Sequence, residues 1–198
     1  MARLQDFPRV EIRSRKALRR WLDANHAEAG TCWLVTWKKH VVDRYVPYGE
    51  IVDELLCYGW IDTRTNRLDD DRTMLLIAPR RTGSNWSASN KKRVARLVKS
   101  GQMTAAGQAK IDAARKDGSW TFLDDVEKLI VPDDLGAALA RNKCAQRHFD
   151  AFNNSARKVI LLWIKTAKRD ETRAKRIRET VRLAAMNLKA AHPEAQGR

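Results

Sequence analysis

Between Cys57 and Asn90 the chain reads CYGWIDTRTNRLDDDRTMLLIAPRRTGSNWSASN, and its side chains suit the capture of an anion. Arg80 and Arg81 stand together directly before the Ser/Asn-rich start of a helix. A guanidinium group offers paired N–H donors to a carboxylate or phosphate. The free amides of a helix N-terminus add positive potential beside it. Ser84, Ser87 and Asn90 supply neutral donors, while Trp60 and Trp86 offer rings that pack on each other or wall a pocket. Strand alternation sends one of the two arginines toward the helix start and the other elsewhere. The expected ligand-binding set is therefore Trp60, Asp62, Arg64, Arg80, Arg81, Ser84, Trp86, Ser87 and Asn90, for phosphate, a carboxylate or a nucleotide. The same residues also read as a well-capped helix beside two solvated arginines.

Catalysis would draw on Tyr48, Asp62, Arg64 and Arg80 gathered at one rim of a sheet, with Asp62 as a base. Nothing in their spacing requires it. The chain has no GxSxG, P-loop or GxGxxG element, and Ser84 and Ser87 have no sequence-evident histidine partner. Cys32, Cys57 and Cys144 lie far apart, with no CxxC, and His26, His40, His148 and His192 form no metal-like spacing with them. Cys57 sits among Leu55, Leu56 and Tyr58, surroundings of a buried, inert thiol. These residues point to a non-enzymatic binding protein without metal or cofactor.

Charge offers a second kind of partner. The 198 residues carry 39 Lys+Arg against 24 Asp+Glu, a net charge of +15. The first 81 hold 15 basic and 12 acidic side chains, so the surplus belongs to the rest. Such a field attracts phosphate polymers, acidic proteins or anionic surfaces, and it also keeps a protein soluble. Arg173, Arg176, Arg178 and Arg182 are the candidates for contact with a nucleic-acid backbone. Glu171 and Glu179 lie within one turn of Lys175 and Arg182, which reads equally as a solvated helix face. Three reduced thiols, no apolar leader in MARLQDFPRVEIRS and no 18-residue apolar run predict a soluble cytoplasmic protein.

The elements that position these residues follow from local signals. Ser14 caps a helix with Leu18, Trp21 and Leu22 on one face, closed by Gly30. Strands are expected near 31–37, 60–66 and 73–78, the last two forming an antiparallel pair bounded by Gly59 and Pro79. Pro47 opens the helix between the first two strands. From Ser87 the apolar period changes from 2 to 3.6. Helix starts are then expected at Ser87, Thr104, Asp133 or Asp134, Ser155 and Asp170, with a frayed tail from Ala191.

The predicted fold class is α+β, a small antiparallel sheet with helices in the first half and an all-helical C-terminal half. The CYGWID stretch (57–62), PRRTGSNWSASN (79–90), the segment from Pro132 to Phe149, and Trp163 to Ile177 together resemble the YdeI or OmpD-associated family, named for bacteriocin protection. The resemblance implies a soluble bacterial protein whose helical YdeI/OmpD-associated domain is expected over 123–198, after an α+β domain over 1–122. It carries no reaction and no catalytic residue.

Overall fold

The computed structural model describes residues 4–191 and divides the chain into two compact units, 1–122 and 123–198. The tail expected to fray falls, past Ala191, outside the described residues. In the first unit, β1 (Arg9–Glu11), β2 (Cys32–Trp37), β3 (Trp60–Arg67) and β4 (Arg72–Pro79) form one sheet in the order β1-β2-β4-β3. The expected pairing of β3 with β4 is antiparallel and joins Trp60 to Pro79, and β4 also pairs antiparallel with β2. The added strand, β1, runs parallel to β2. With three residues and a burial pattern of exposed ends it has no alternation long enough to read.

Residues of β2 alternate between two cores. Cys32 and Leu34 join Leu75 and Ile77 beneath the helices, while Trp33 and Val35 join Met74 and Leu76 on the opposite face. The helices on the first face are α1 (Arg15–Asn25), α2 (Tyr48–Cys57), α3 (Ala88–Lys99) and α4 (Ala105–Lys116). The starts of α1, α3 and α4 are set by hydroxyl caps. Ser14, Ser87 and Thr104 each accept from the backbone N–H three residues on, satisfying a donor the helix cannot. Among the described residues no helix is long and apolar enough to cross a membrane.

Helix α2 lies between α1 and α3 and buries two adjacent acids. Asp53 is 3% exposed and Glu54 is 1% exposed. Successive helical residues point about 100° apart, so each acid faces a different neighbour. Glu54 accepts from Arg15 and Arg19 of α1, and Asp53 from Arg93 and Arg96 of α3. The C-terminal carbonyl of α2, at Cys57, is taken by Thr104 through its hydroxyl at 2.5 Å and its amide at 3.3 Å. The start of α4 thus docks on the end of α2.

The second unit holds α5 (Asp124–Glu127), α6 (Asp133–Ala140), α7 (Lys143–Ala151), α8 (Asn154–Lys165) and α9 (Asp170–Ala185), and no strand among its described residues. Its core gathers Leu135, Leu139, Ala145, Phe149, Ile160, Ile164, Ile177 and Ala184. The cap of α8 is Asn153, not the expected Ser155, because the Asn153 Oδ1 accepts from the Ala156 amide at 2.9 Å. Val159 of the same helix is 39% exposed. Arg173 of α9 grips Asp134 of α6 through Nε and Nη2 at 2.7 and 2.8 Å.

Hydrogen bonding from Arg173 holds the Asp134 carboxyl below its ordinary value of 3.8. A depressed acid contributes stability above its unfolded pKa and loses it as pH falls through the folded one. The difference in melting temperature between the native chain and Arg173→Met should therefore be constant above about pH 5 and shrink below about pH 4. A difference independent of pH down to acid unfolding would show that the pair contributes nothing.

Candidate functional site

Pro79 ends β4, and the Arg80 amide adds one further bond, to the carbonyl of Gly59 at 2.8 Å. That carbonyl is turned toward it by the left-handed backbone of Gly59, φ +71°. The chain then loops through Arg81–Asn85 and returns to the core at Trp86, which is 1% exposed. This path carries the Arg80 side chain inward, where it is 2% exposed. Its guanidinium carbon lies 3.8 Å from the centre of the Trp86 ring. Trp86 in turn packs on Trp120 with centres 5.0 Å apart.

One arm of the guanidinium, Nη1, donates to the carbonyls of Asn85 at 3.0 Å and Ser84 at 3.4 Å. The other two nitrogens, Nε and Nη2, are buried and have no partner among the described residues, and neither has Trp86 Nε1. Burial pulls the Arg80 pKa down to about 10, opposed in part by the charge of Asp62, so the group is cationic at neutral pH. A buried cation with an unpaired edge is an energetic liability, since each unmade bond costs about 1–3 kcal/mol.

Beside it is a cavity of about 190 Å³ lined by the 80–84 loop, Trp86, and Ala109, Lys110, Ala113, Ala114, Asp117 and Ser119. The loop is tied across this cavity by the Gly83 amide, which donates to Asp117 Oδ2 at 3.1 Å. Hydrogen bonding from Ser119 and from that amide holds the Asp117 carboxyl below its ordinary value.

Of the expected residues, the structure brings Arg80, Arg81, Ser84 and Trp86 together at this cavity, with Arg81 exposed at its edge. The others lie elsewhere. Trp60 packs edge-on against Trp21 at 5.7 Å rather than on Trp86, and its Nε1 donates to the His26 carbonyl. Ser87 Oγ is spent on the Asn90 amide, and neither residue lines the cavity. The helix start is thus capped by its own side chain, and the unpartnered buried donors lie one loop earlier.

Asp62 and Arg64 do not converge. A bulge falls between them, so that Asp62 stands opposite Ile77 and Arg64 opposite Leu76. Ile77 and Leu76 belong to cores on opposite faces of the sheet. The extra residue breaks the two-residue period that would have put both side chains on one side. Asp62 accepts from the Tyr48 hydroxyl at 2.7 Å, whereas Arg64 lines a separate depression with Arg9, Trp33 and Met74.

Lys110, Asp117 and Ser119 were not read from the sequence as site residues, since they follow Arg80 by about thirty to forty positions. The signal available was the small-residue stripe Ala106, Ala109 and Ala113 on α4, which leaves room beside a packed neighbour. Cys57 is fully buried and its thiol is pushed up to about 11, first by burial. Among the described residues no group of three or more His, Cys, Asp or Glu is placed to hold a metal ion.

In the second unit the four candidate arginines are largely engaged. Arg173 binds Asp134, Arg182 binds Glu179 through both Nε and Nη2, and Arg176 lies over the Trp163 ring and donates to Thr166 Oγ1 at 3.2 Å. Arg178 is exposed. Phosphate contact would have to displace carboxylates already paired with two of the four.

Two family models match the chain, and neither a curated protein nor a solved structure does. The model described as Bacteriocin-protection, YdeI or OmpD-Associated covers residues 128–187, so that resemblance is confined to the second unit. The stretches at 57–62 and 79–90, expected to belong to it, fall instead under the other model. That model, described as Domain of unknown function (DUF8412), matches residues 10–110, which is half of the chain and includes Arg80 and Trp86, and the chain belongs to this family.

Proposed function

We propose that the first unit is a binding module for a small oxyanion, held at Arg80. The observation that carries the reading is the Nε/Nη2 edge of a buried, charged guanidinium left without a partner beside a cavity. The guanidinium is already oriented, by stacking on Trp86 and by two loop carbonyls, so little rotamer freedom is lost on binding. Arg81 and Lys110 in the same lining add positive potential along the approach. The reading is of binding rather than catalysis. Asp117 is a poor base because its charged form is already stabilised by hydrogen bonds. The three cysteines are free thiols, in keeping with a cytoplasmic protein.

Arg80→Met tests this. The substitution removes a buried charge and two unpaired donors but also the two bonds to loop carbonyls. Stability without ligand should stay within about 1 kcal/mol of the native chain or rise. An anion at 100 times its dissociation constant should stabilise the native chain by about 2.7 kcal/mol and Arg80→Met not at all. Arg81→Ala should keep most of that gain. Affinity should hold across neutral pH and fall as pH rises through about 10, where Arg80 loses its proton. If Arg80→Met instead loses more than about 2 kcal/mol and no anion shifts native melting, Arg80 is a structural clamp for the 81–86 loop. Binding of oligonucleotides that survives Arg80→Met and is lost in Arg176→Ala would place function in the second unit.

A further inference from the structure

Resting on the oxyanion reading, we infer that the group taken by Arg80 is the carboxylate of a small monoanionic acid with an apolar body, and not a phosphate. The first observation is which donors remain. With Nη1 committed to Ser84 and Asn85, the open edge is Nε–H and Nη2–H, two parallel donors in one plane. Other arginines among the described residues offer that same edge to a carboxylate. Arg173 holds Asp134 at 2.7 and 2.8 Å, and Arg182 holds Glu179 at 2.9 and 2.8 Å. At Arg80 the edge is held in place, and no carboxylate among the described residues pairs with it.

A second observation is the balance of charge and donors. A carboxylate presents about four lone-pair sites and one negative charge. The buried wall holds the two Arg80 donors and the unpartnered Trp86 Nε1–H, with the buried charge of Arg80. A phosphate dianion brings a second charge, and the electrostatic cost of burial grows as the square of charge. Of the further cations in the lining, Arg81 is exposed and Lys110 half-buried, and Asp117 offsets one of them with a negative charge.

Third, the cavity is small and one part of its wall is apolar. Ala109, Ala113, Ala114 and the Trp86 ring leave about 190 Å³. This is below the ~300 Å³ at which pockets for drug-sized ligands begin. The body attached to the carboxylate is therefore short and without charge.

The test titrates the full-length chain at constant ionic strength with acetate, propionate, butyrate and hexanoate, and separately with inorganic phosphate. The readout is the ¹⁵N-detected Nε–H resonance of Arg80, assigned by its loss in Arg80→Lys, with calorimetry for affinity. The carboxylates should move this resonance, with affinity rising about fourfold per methylene until the cavity is full. Phosphate should bind at least about tenfold more weakly, and Arg80→Lys, which keeps charge but loses the fork, should weaken the best carboxylate by at least about tenfold. Phosphate binding as tightly as any carboxylate would overturn the inference and leave the oxyanion reading standing. Carboxylate binding unchanged in Arg80→Lys would overturn it too, by showing that the fork is not the site. If no anion moves the Arg80 resonance, both the inference and the reading beneath it fail. Should Arg80→Lys not fold, the comparison of carboxylates with phosphate on the native chain decides alone.

Discussion

Gly107→Ala should destabilise the first unit by about 3 kcal/mol, although it places the best helix former in the first turn of α4. Propensity alone predicts a gain of up to about 1 kcal/mol from removing a helical glycine. Packing reverses the sign. A Cβ at Gly107 would stand 2.5 Å from Met103 Sδ and 2.7 Å from the carbonyl carbon of Cys57, with the Cys57 oxygen nearer still. Met103 is flexible, but the Cys57 carbonyl is backbone at the end of α2 and cannot move without moving the helix. Separation would also stretch both bonds from Thr104 to that carbonyl, at 2.5 and 3.3 Å. Gly136 of α6 is the control, because a Cβ there would find its nearest neighbour, Val131 Cγ1, 3.9 Å away. There the same substitution should stabilise by about 0.5–1 kcal/mol. Chemical denaturation of the two variants decides the matter. A Gly107→Ala chain as stable as the native one would mean that α2 and α4 are not held at this distance.

The second large effect is expected at Glu54. Glu54→Gln keeps the shape of the side chain but leaves Arg15 and Arg19 facing a neutral amide, with distances now 2.6 and 3.0 Å. Removing one partner of a buried ion pair costs about 3–5 kcal/mol. The two arginine side chains remain 33% and 35% exposed and can regain water, so the lower end, about 3 kcal/mol, is expected. For a unit of this size that is roughly 10–15 °C in melting temperature. Adding Arg19→Gln should recover part of the loss, since one of the two unmatched charges then disappears. Asp53→Asn should cost less, because its partner Arg96 is 57% exposed. A loss below about 1 kcal/mol in Glu54→Gln would show that the cluster behaves as a surface pair.

What the sequence by itself determined is what short-range chemistry decides. Ser14, Ser87 and Thr104 mark helix starts because a hydroxyl bonds an amide three residues away, whatever surrounds it. Gly59 and Pro79 bound the β3–β4 pair for equally local reasons, and the change of apolar period after Ser87 divides sheet from helices. Arg80, Arg81, Ser84 and Trp86 were legible as a cluster because one loop carries them all.

Only the tertiary structure decided which arginine turns inward, and that its partner ring is Trp86 while Trp60 packs on Trp21. It placed α4 across the loop, bringing Lys110, Asp117 and Ser119 to a cavity that no local pattern connects with Arg80. The bulge that separates Asp62 from Arg64 is a single unpaired residue, set by how two strands twist together rather than by its own identity. Asp53 and Glu54 look like solvated residues until α1 and α3 enclose them with arginines. In each case the deciding energy is long-range, burial and the pairing of charges brought together by folding, and it acts between residues whose separation along the chain leaves no periodic trace.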